Sequence, residues 1–198
     1  MNLRYDILGF PIFEVPDCGW FHLWPITKYQ FERFLAESPS YNDAWYEEVQ
    51  AENPRITPQE INRNNYEQAF ITGLLPREVW DFVRWLGGGI FTVPTVEQWR
   101  QAYRYLESLT VRDLPKLNTQ GPPGYLNQIL RMSAREPLRY TLMQQGLVEW
   151  VLSDQNEMKG LGAPRPAFLS HLWDPLRDII DPIEDTRNRI MGLRLITY

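Results

Sequence analysis

Arg77-Glu-Val-Trp-Asp-Phe-Val-Arg-Trp-Leu-Gly-Gly-Gly-Ile-Phe-Thr-Val-Pro-Thr-Val-Glu-Gln-Trp-Arg-Gln-Ala-Tyr-Arg-Tyr105 reads as a helix, a glycine stop, a short strand, a proline turn and a second helix. Pro76 fits the first turn of the first helix, where its missing N–H is no loss. Val79, Phe82, Val83 and Leu86 then recur at helical spacing as one apolar stripe ending at Gly87. Ile90 to Val93 is a β-branched and aromatic run that predicts a strand. After Pro94, Thr95 is placed to cap a helix, with Gln98 three residues on to complete a capping box. Trp99, Ala102, Tyr103 and Leu106 give that helix its buried face. As local physics this is a well-specified supersecondary unit, and by itself it says nothing of function.

Outward from this unit, the composition sets bounds. The chain has 198 residues, of which 43% are hydrophobic and 14% aromatic, enough for the core of one domain spanning residues 1–198. Eight tryptophans and sixteen prolines favour broad aromatic contacts among irregular loops over a plain helical bundle. A net charge of −5 lacks the basic footprint that phosphate backbones require, so nucleic acid is not an expected partner. No apolar run is long enough to span a bilayer, and the N-terminus lacks a basic segment followed by an apolar one; a soluble cytoplasmic protein is expected. The single cysteine, Cys18, excludes an internal disulfide and any site of several thiolates.

In chain order, a short strand is expected around Ile7 to Phe13 and a better one over Trp20 to Trp24, both of whose faces are apolar. Thr27 and Gln30 form a second capping box, and Ile26 is placed to staple against Phe31 in a helix running through Phe34 and Leu35. Weaker helical signals cover Asp43 to Ala51 and Thr57 to Ile61, with a loop at residues 62–65. Leu106 to Gly124 reads as a long surface connection. Gly146 to Leu152 is a strand carrying Glu149 beside Trp150. Residues 153–188 return to polar, proline-broken sequence, and Arg189 to Ile196 closes the chain as a strand that should be tied into a sheet.

Four of these segments carry a resemblance. Trp24-Pro25-Ile26-Thr27-Lys28-Tyr29-Gln30-Phe31-Glu32-Arg33-Phe34 resembles the "pro-val-thr-asn-x-gln-tyr-x-x-phe" start of the formylglycine-generating enzyme, or sulfatase-modifying factor, family. Trp85-Leu86-Gly87 with Thr92-Val93-Pro94-Thr95-Val96-Glu97-Gln98-Trp99 is similar to its "trp-leu … arg-leu-pro-thr-glu-ala-glu-trp". Gly146 to Val151 resembles "gly-asn-val-x-glu-trp-val", and Met191-Gly192-Leu193-Arg194-Leu195 resembles the closing "ile-gly-phe-arg-leu". The resemblance implies the family's variant of the C-type lectin fold: a small twisted antiparallel sheet, two main flanking helices and much irregular structure. It makes Trp99 and Trp150 core anchors and Glu149 a structural acceptor for backbone N–H groups.

The family's chemistry is what the sequence lacks. Its catalytic members bind copper through a cysteine pair, and here Cys18 stands alone, ahead of the first clear strand. A related branch, the sulfoxide synthases of ergothioneine biosynthesis, holds iron with histidines. His22 and His171 are the only two here, and neither has a second ligand at His-x-x-x-His or His-x-x-x-Glu spacing. Gly162 to Phe168 replaces the family's "arg-gly-gly-ser-trp". No cofactor is expected, a structural calcium on Asp154, Asn156 and Glu157 being the one cation left open. Glu136-Pro137-Leu138 and Trp173-Asp174-Pro175 fall short of the lectin sugar motifs.

The expected function is therefore that of a pseudoenzyme: a non-catalytic module that binds a ligand or a protein partner, such as an accessory or sensor subunit of a bacterial assembly or defence system. Two alternatives remain open, a binding protein diversified by a retroelement and a metal-dependent oxidase with an unrecognised site. The expected binding surface is the loop region 153–188, with Phe168, His171, Trp173 and Arg177 as anchors, because aromatics and arginine dominate binding hot spots; Leu172 is a lesser candidate. For the core, Trp99→Ala is expected to cost about 3 to 5 kcal/mol in chemical denaturation, as for other large buried aromatics.

Overall fold

The computed structural model describes residues 1–38, 41–53, 57, 59–60, 66–87, 89–114, 117, 136–143, 147–162, 174–183 and 185–198. It is a mixed α+β structure of helices α1 (Lys28–Glu37), α2 (Asp43–Glu52), α3 (Pro76–Gly87) and α4 (Val96–Ser108) and strands β1 (Leu3–Tyr5), β2 (Pro11–Val15), β3 (Gly19–His22), β4 (Phe91–Thr92), β5 (Val148–Leu152), β6 (Met158–Gly162), β7 (Met191–Gly192) and β8 (Ile196–Thr197). Among the described residues no helix is long and apolar enough to cross a membrane.

The opening unit forms as its sequence dictates. Pro76 starts α3, whose Val79, Phe82, Val83 and Leu86 are buried. Thr95 Oγ1 accepts from the Gln98 N–H at 3.2 Å while Gln98 Oε1 accepts from the Thr95 N–H at 2.8 Å, closing the capping box of α4. The same reciprocal pair, Thr27 and Gln30, starts α1, and Ile26 and Phe31 are buried in one apolar cluster. Asn42 caps α2 through the Trp45 N–H.

Among the described residues two sheets stand where the resemblance implied a single small antiparallel one. The larger has the order β1-β2-β3-β8-β4 with every pair antiparallel, and the smaller has the order β6-β5-β7, in which β5 and β7 run parallel. Among the described residues four helices of ten or more residues each cover a helical signal of the sequence, whereas the resemblance implied two main ones. The strand expected over Ile7 to Phe13 starts only at Pro11, as β2, because Asp6 Oδ1 accepts the N–H groups of Leu8 and Phe10 and turns the chain there; β1, before that turn, was not expected. β6 was read as broken polar sequence. Its glycines hide a strand whose neighbours lie too close for side chains: a Cβ at Gly160 would fall 2.9 Å from Val148 Cγ1, and one at Gly162 2.7 Å from the Leu147 carbonyl oxygen.

The closing strand also divides. Its first part, β7, joins the small sheet, and its second, β8, inserts between β3 and β4 of the large one. Leu193–Leu195 crosses between them, with its carbonyls taking the N–H groups of Ile26 (2.6 Å) and His22 (3.0 Å). At the crossing Arg194 is fully buried and forms two bonds to the Glu149 carboxylate, at 2.9 and 2.8 Å. Its remaining donors reach the carbonyls of His22, Leu23 and Thr141, and Trp99 Nε1 donates to Glu149 at 2.8 Å. Glu149 thus accepts from two side chains rather than from the backbone N–H groups expected. The core lies around this point in two parts, one under α4 with Phe13, Phe21, Trp99 and Ile196, the other under α1 and α3 with Phe31, Phe34, Phe82 and Trp150. The loop at residues 62–65, Gly146 and most of the connection leading to Gly124 lie outside the described residues.

Arg194→Met, which strands the buried Glu149 carboxylate, is expected to destabilise the protein by about 3 to 5 kcal/mol in urea titration. Adding Glu149→Leu should recover part of that loss, because no uncompensated charge is then left in the core.

Candidate functional site

The described structure has a cleft of about 730 Å³ bounded by α1 and α2, within the range of roughly 300 to 1,000 Å³ typical of ligand pockets. Helical periodicity builds both walls. Lys28, Phe31, Glu32, Leu35 and Ala36 form a stripe on α1, and Asn42, Trp45, Tyr46, Val49, Gln50 and Asn53 form the facing one along α2. Ser38, Tyr41, Asp43, Thr57 and Ile71 complete the lining.

The aromatic wall is held from behind. The rings of Tyr41 and Trp45 lie against each other with centroids 4.0 Å apart, tilted by 34°. Trp45 Nε1 donates to the buried Glu78 at 2.6 Å, and the Tyr41 hydroxyl donates to Asp81, so both rings are anchored on α3. Burial, then the bond to Asp81, pushes the Tyr41 hydroxyl well above its ordinary range. Glu78 also takes the Leu75 N–H and two bonds from Arg187, each 2.7 Å. Asn53 accepts the Thr72 N–H at 3.0 Å and donates to the Thr72 carbonyl at 2.8 Å, tying the end of α2 to the segment that carries Ile71. This fixed geometry suits a preformed pocket rather than a loose gap.

Lys28 supplies the chemistry. It is 7% exposed, and burial lowers its pKa from 10.5 to about 8, an effect only partly offset by Glu32 one turn on. Desolvation disfavours its charged form, so folding shifts the group toward the neutral amine. The sequence held a signal for it. Lys28 opens α1, where a cation opposes the helix dipole, and it shares the spacing of Phe31 and Leu35, which is a buried rather than a solvated position.

The expected anchors fall elsewhere. Phe168, His171, Leu172 and Trp173 lie outside the described residues. Arg177 is exposed, and its guanidinium spans Asp178 through bonds of 2.8 and 2.9 Å, which hold that carboxyl down at about 2; it lines neither described cavity. His22 is packed on β3 as expected, 2% exposed, with Nε2 2.9 Å from Asp6 Oδ2. Burial and then Glu97 push the Cys18 thiol up to about 11, so it is a poor thiolate at neutral pH. Asp154, Asn156 and Glu157 sit in the exposed turn between β5 and β6, with Glu157 paired to Lys159. Among the described residues, no three His, Cys, Asp or Glu side chains gather as a metal site would require.

A carbon-detected titration of the lysine ε-methylenes is expected to place Lys28 near pH 8 and Lys159, whose carboxylate partners raise it, above 10.5. Because folding lowers the Lys28 pKa, the unfolded chain holds that proton more tightly. The wild type is therefore penalised fully below about pH 8, and the penalty fades toward pH 10.5. Lys28→Met should raise the urea midpoint at pH 7 and lose that advantage progressively across this window. No protein-family model matches the chain, and no curated protein matches it.

Proposed function

We propose that the protein is a non-catalytic binding module on a formylglycine-generating-enzyme-like variant of the C-type lectin fold, and that the α1–α2 cleft holds its ligand. The observation that carries this reading is the cleft itself: a braced aromatic wall facing a buried lysine. Lys28 sets an ammonium into the lining of an otherwise largely aromatic and apolar cleft, and an anionic group on the ligand would complement it. The ligand is thus an apolar or aromatic molecule, or a protein side chain, bearing an acidic group. A protein partner in the cytoplasm is the natural source of such a group, with this chain as the accessory or sensor subunit.

The scaffold assignment draws support from where the four family-like motifs meet. Trp99 of the second, Glu149 of the third and Arg194 of the fourth bond to one another, and Ile26 of the first donates its N–H to Leu193 of the fourth. Motifs that are far apart in sequence serve one packing centre, as expected of a shared frame. The oxidase chemistry of the family is opposed by the sequence, which has one cysteine where copper binding uses two.

8-Anilinonaphthalene-1-sulfonate, an aromatic anion, is the first probe. It is expected to bind the native protein at one site, with affinity falling about tenfold in Lys28→Met through loss of a charge-assisted contact. Ala36→Trp, at an exposed position on the cleft wall, should block binding by filling the space. Probe affinity unchanged in both variants would overturn the site. Stoichiometric copper or iron in protein purified without chelator would overturn the non-catalytic assignment.

A further inference from the structure

A second cavity, of about 660 Å³, lies between the start of α3, the β5–β6 hairpin and residues 181–183 and 185–186. Trp150 forms part of its wall. The side chain is 3% exposed, yet its indole N–H meets no acceptor in the described protein. The other buried tryptophans among the described residues, Trp24 and Trp99, each donate their indole N–H to a carbonyl or carboxylate, so the exception is the one that borders this space. An indole can only donate, and a buried donor left unmatched is costly and rare. What is missing from the wall is an acceptor, and the cavity is large enough to admit one on a ligand.

The rest of the lining sets the ligand's character. Leu75, Met158, Pro182 and Ile183 offer an apolar surface, and Ile183 is 77% exposed at its edge. Glu157 and Asp181 both bind Lys159, at 2.9 and 2.8 Å, so its charge is already matched, and Asp185 adds a third carboxylate. Arg77 alone among the lining cations is left to attract an anion, against that surplus of carboxylates. A carboxylate or phosphate ligand is therefore disfavoured, whereas a neutral carbonyl is not.

We infer that this cavity binds a neutral amide with an adjoining apolar group, its carbonyl oxygen accepting the Trp150 indole N–H and its apolar group resting on Met158 and Ile183. A peptide segment and a small free amide present the same chemistry. This site is separate from the α1–α2 cleft and does not depend on it. Only part of its lining falls in the region 153–188 where the sequence placed the binding surface, and on none of the expected anchors.

The test uses the ¹⁵N-labelled full chain with three probes: N-acetyl-leucinamide, N-acetyl-leucine, and the peptide acetyl-Ala-Leu-Ala-amide. The Trp150 indole signal is expected to move saturably with both amides and about fivefold less tightly with the carboxylate. Tighter binding of the peptide would identify a chain segment as the natural occupant, and equal binding a small amide. Trp150→Phe, which keeps the ring and removes the donor, should weaken binding about tenfold. Ile183→Asp, at an exposed position that leaves the core untouched, should weaken it about fivefold and serves equally if Trp150→Phe fails to fold. Lys28→Met should leave all three responses unchanged, which separates this site from the cleft. A Trp150 signal unmoved by either amide, equal affinity for the carboxylate, or undiminished binding in Ile183→Asp would overturn the inference.

Discussion

The structure depends on one buried ion pair. Arg194 and Glu149 are both fully buried, where each would be strongly disfavoured alone. Their burial is tolerated because Arg194 has donors enough for the carboxylate and for three backbone carbonyls, while Glu149 also takes the Trp99 indole N–H. The pair joins α4, β5, the chain segment after β3 and the C-terminal crossing. It also explains why the last strand divides. Arg194 sits where the chain leaves the small sheet for the large one, and its bonds hold the two sheets at that crossing.

A second buried pair does for the cleft what the first does for the core. Glu78, fully buried in α3, is matched by Arg187 and takes the Trp45 indole. It therefore couples the C-terminal segment to the aromatic wall of the α1–α2 cleft. The start of α3 and Thr186, beside Arg187, also border the Trp150 cavity. Both candidate sites are shaped by charges held in ion pairs. Lys28 is desolvated by its burial, and the Trp150 N–H meets no acceptor in the described protein. Function is expected where a fold tolerates such local costs.

Much of the frame was legible in the sequence. Both capping boxes, the stripe on α3, the buried face of α4 and the anchoring role of Trp99 follow from local spacing, because hydrogen bonds across three residues and helical periodicity are local. β6 was not legible, since its glycines are selected by the close approach of β5 and β7 rather than by strand propensity. The site residues were harder. Aromatic and arginine content in 153–188 suggested anchors, but Arg177 is occupied by its neighbour Asp178. Lys28 was visible only as a misplaced charge at a buried spacing, and Trp150 read as core because sequence cannot show whether a donor finds an acceptor.

By itself the sequence determined a mixed α+β chain, two well-capped helices around a short strand, an aromatic core, and the lack of a second cysteine for copper chemistry. These follow from composition and from interactions within a turn or two of chain. The tertiary structure alone decided that the chain builds two sheets, that the final strand serves both, and that Glu149 accepts from Arg194 and Trp99. It alone brought α1 and α2 together as a cleft around Lys28 and left the Trp150 N–H facing no acceptor. The physical reason is range. Burial, charge pairing and hydrogen-bond satisfaction depend on groups 45 and 50 residues apart for Glu149, and no local pattern records which of them will meet.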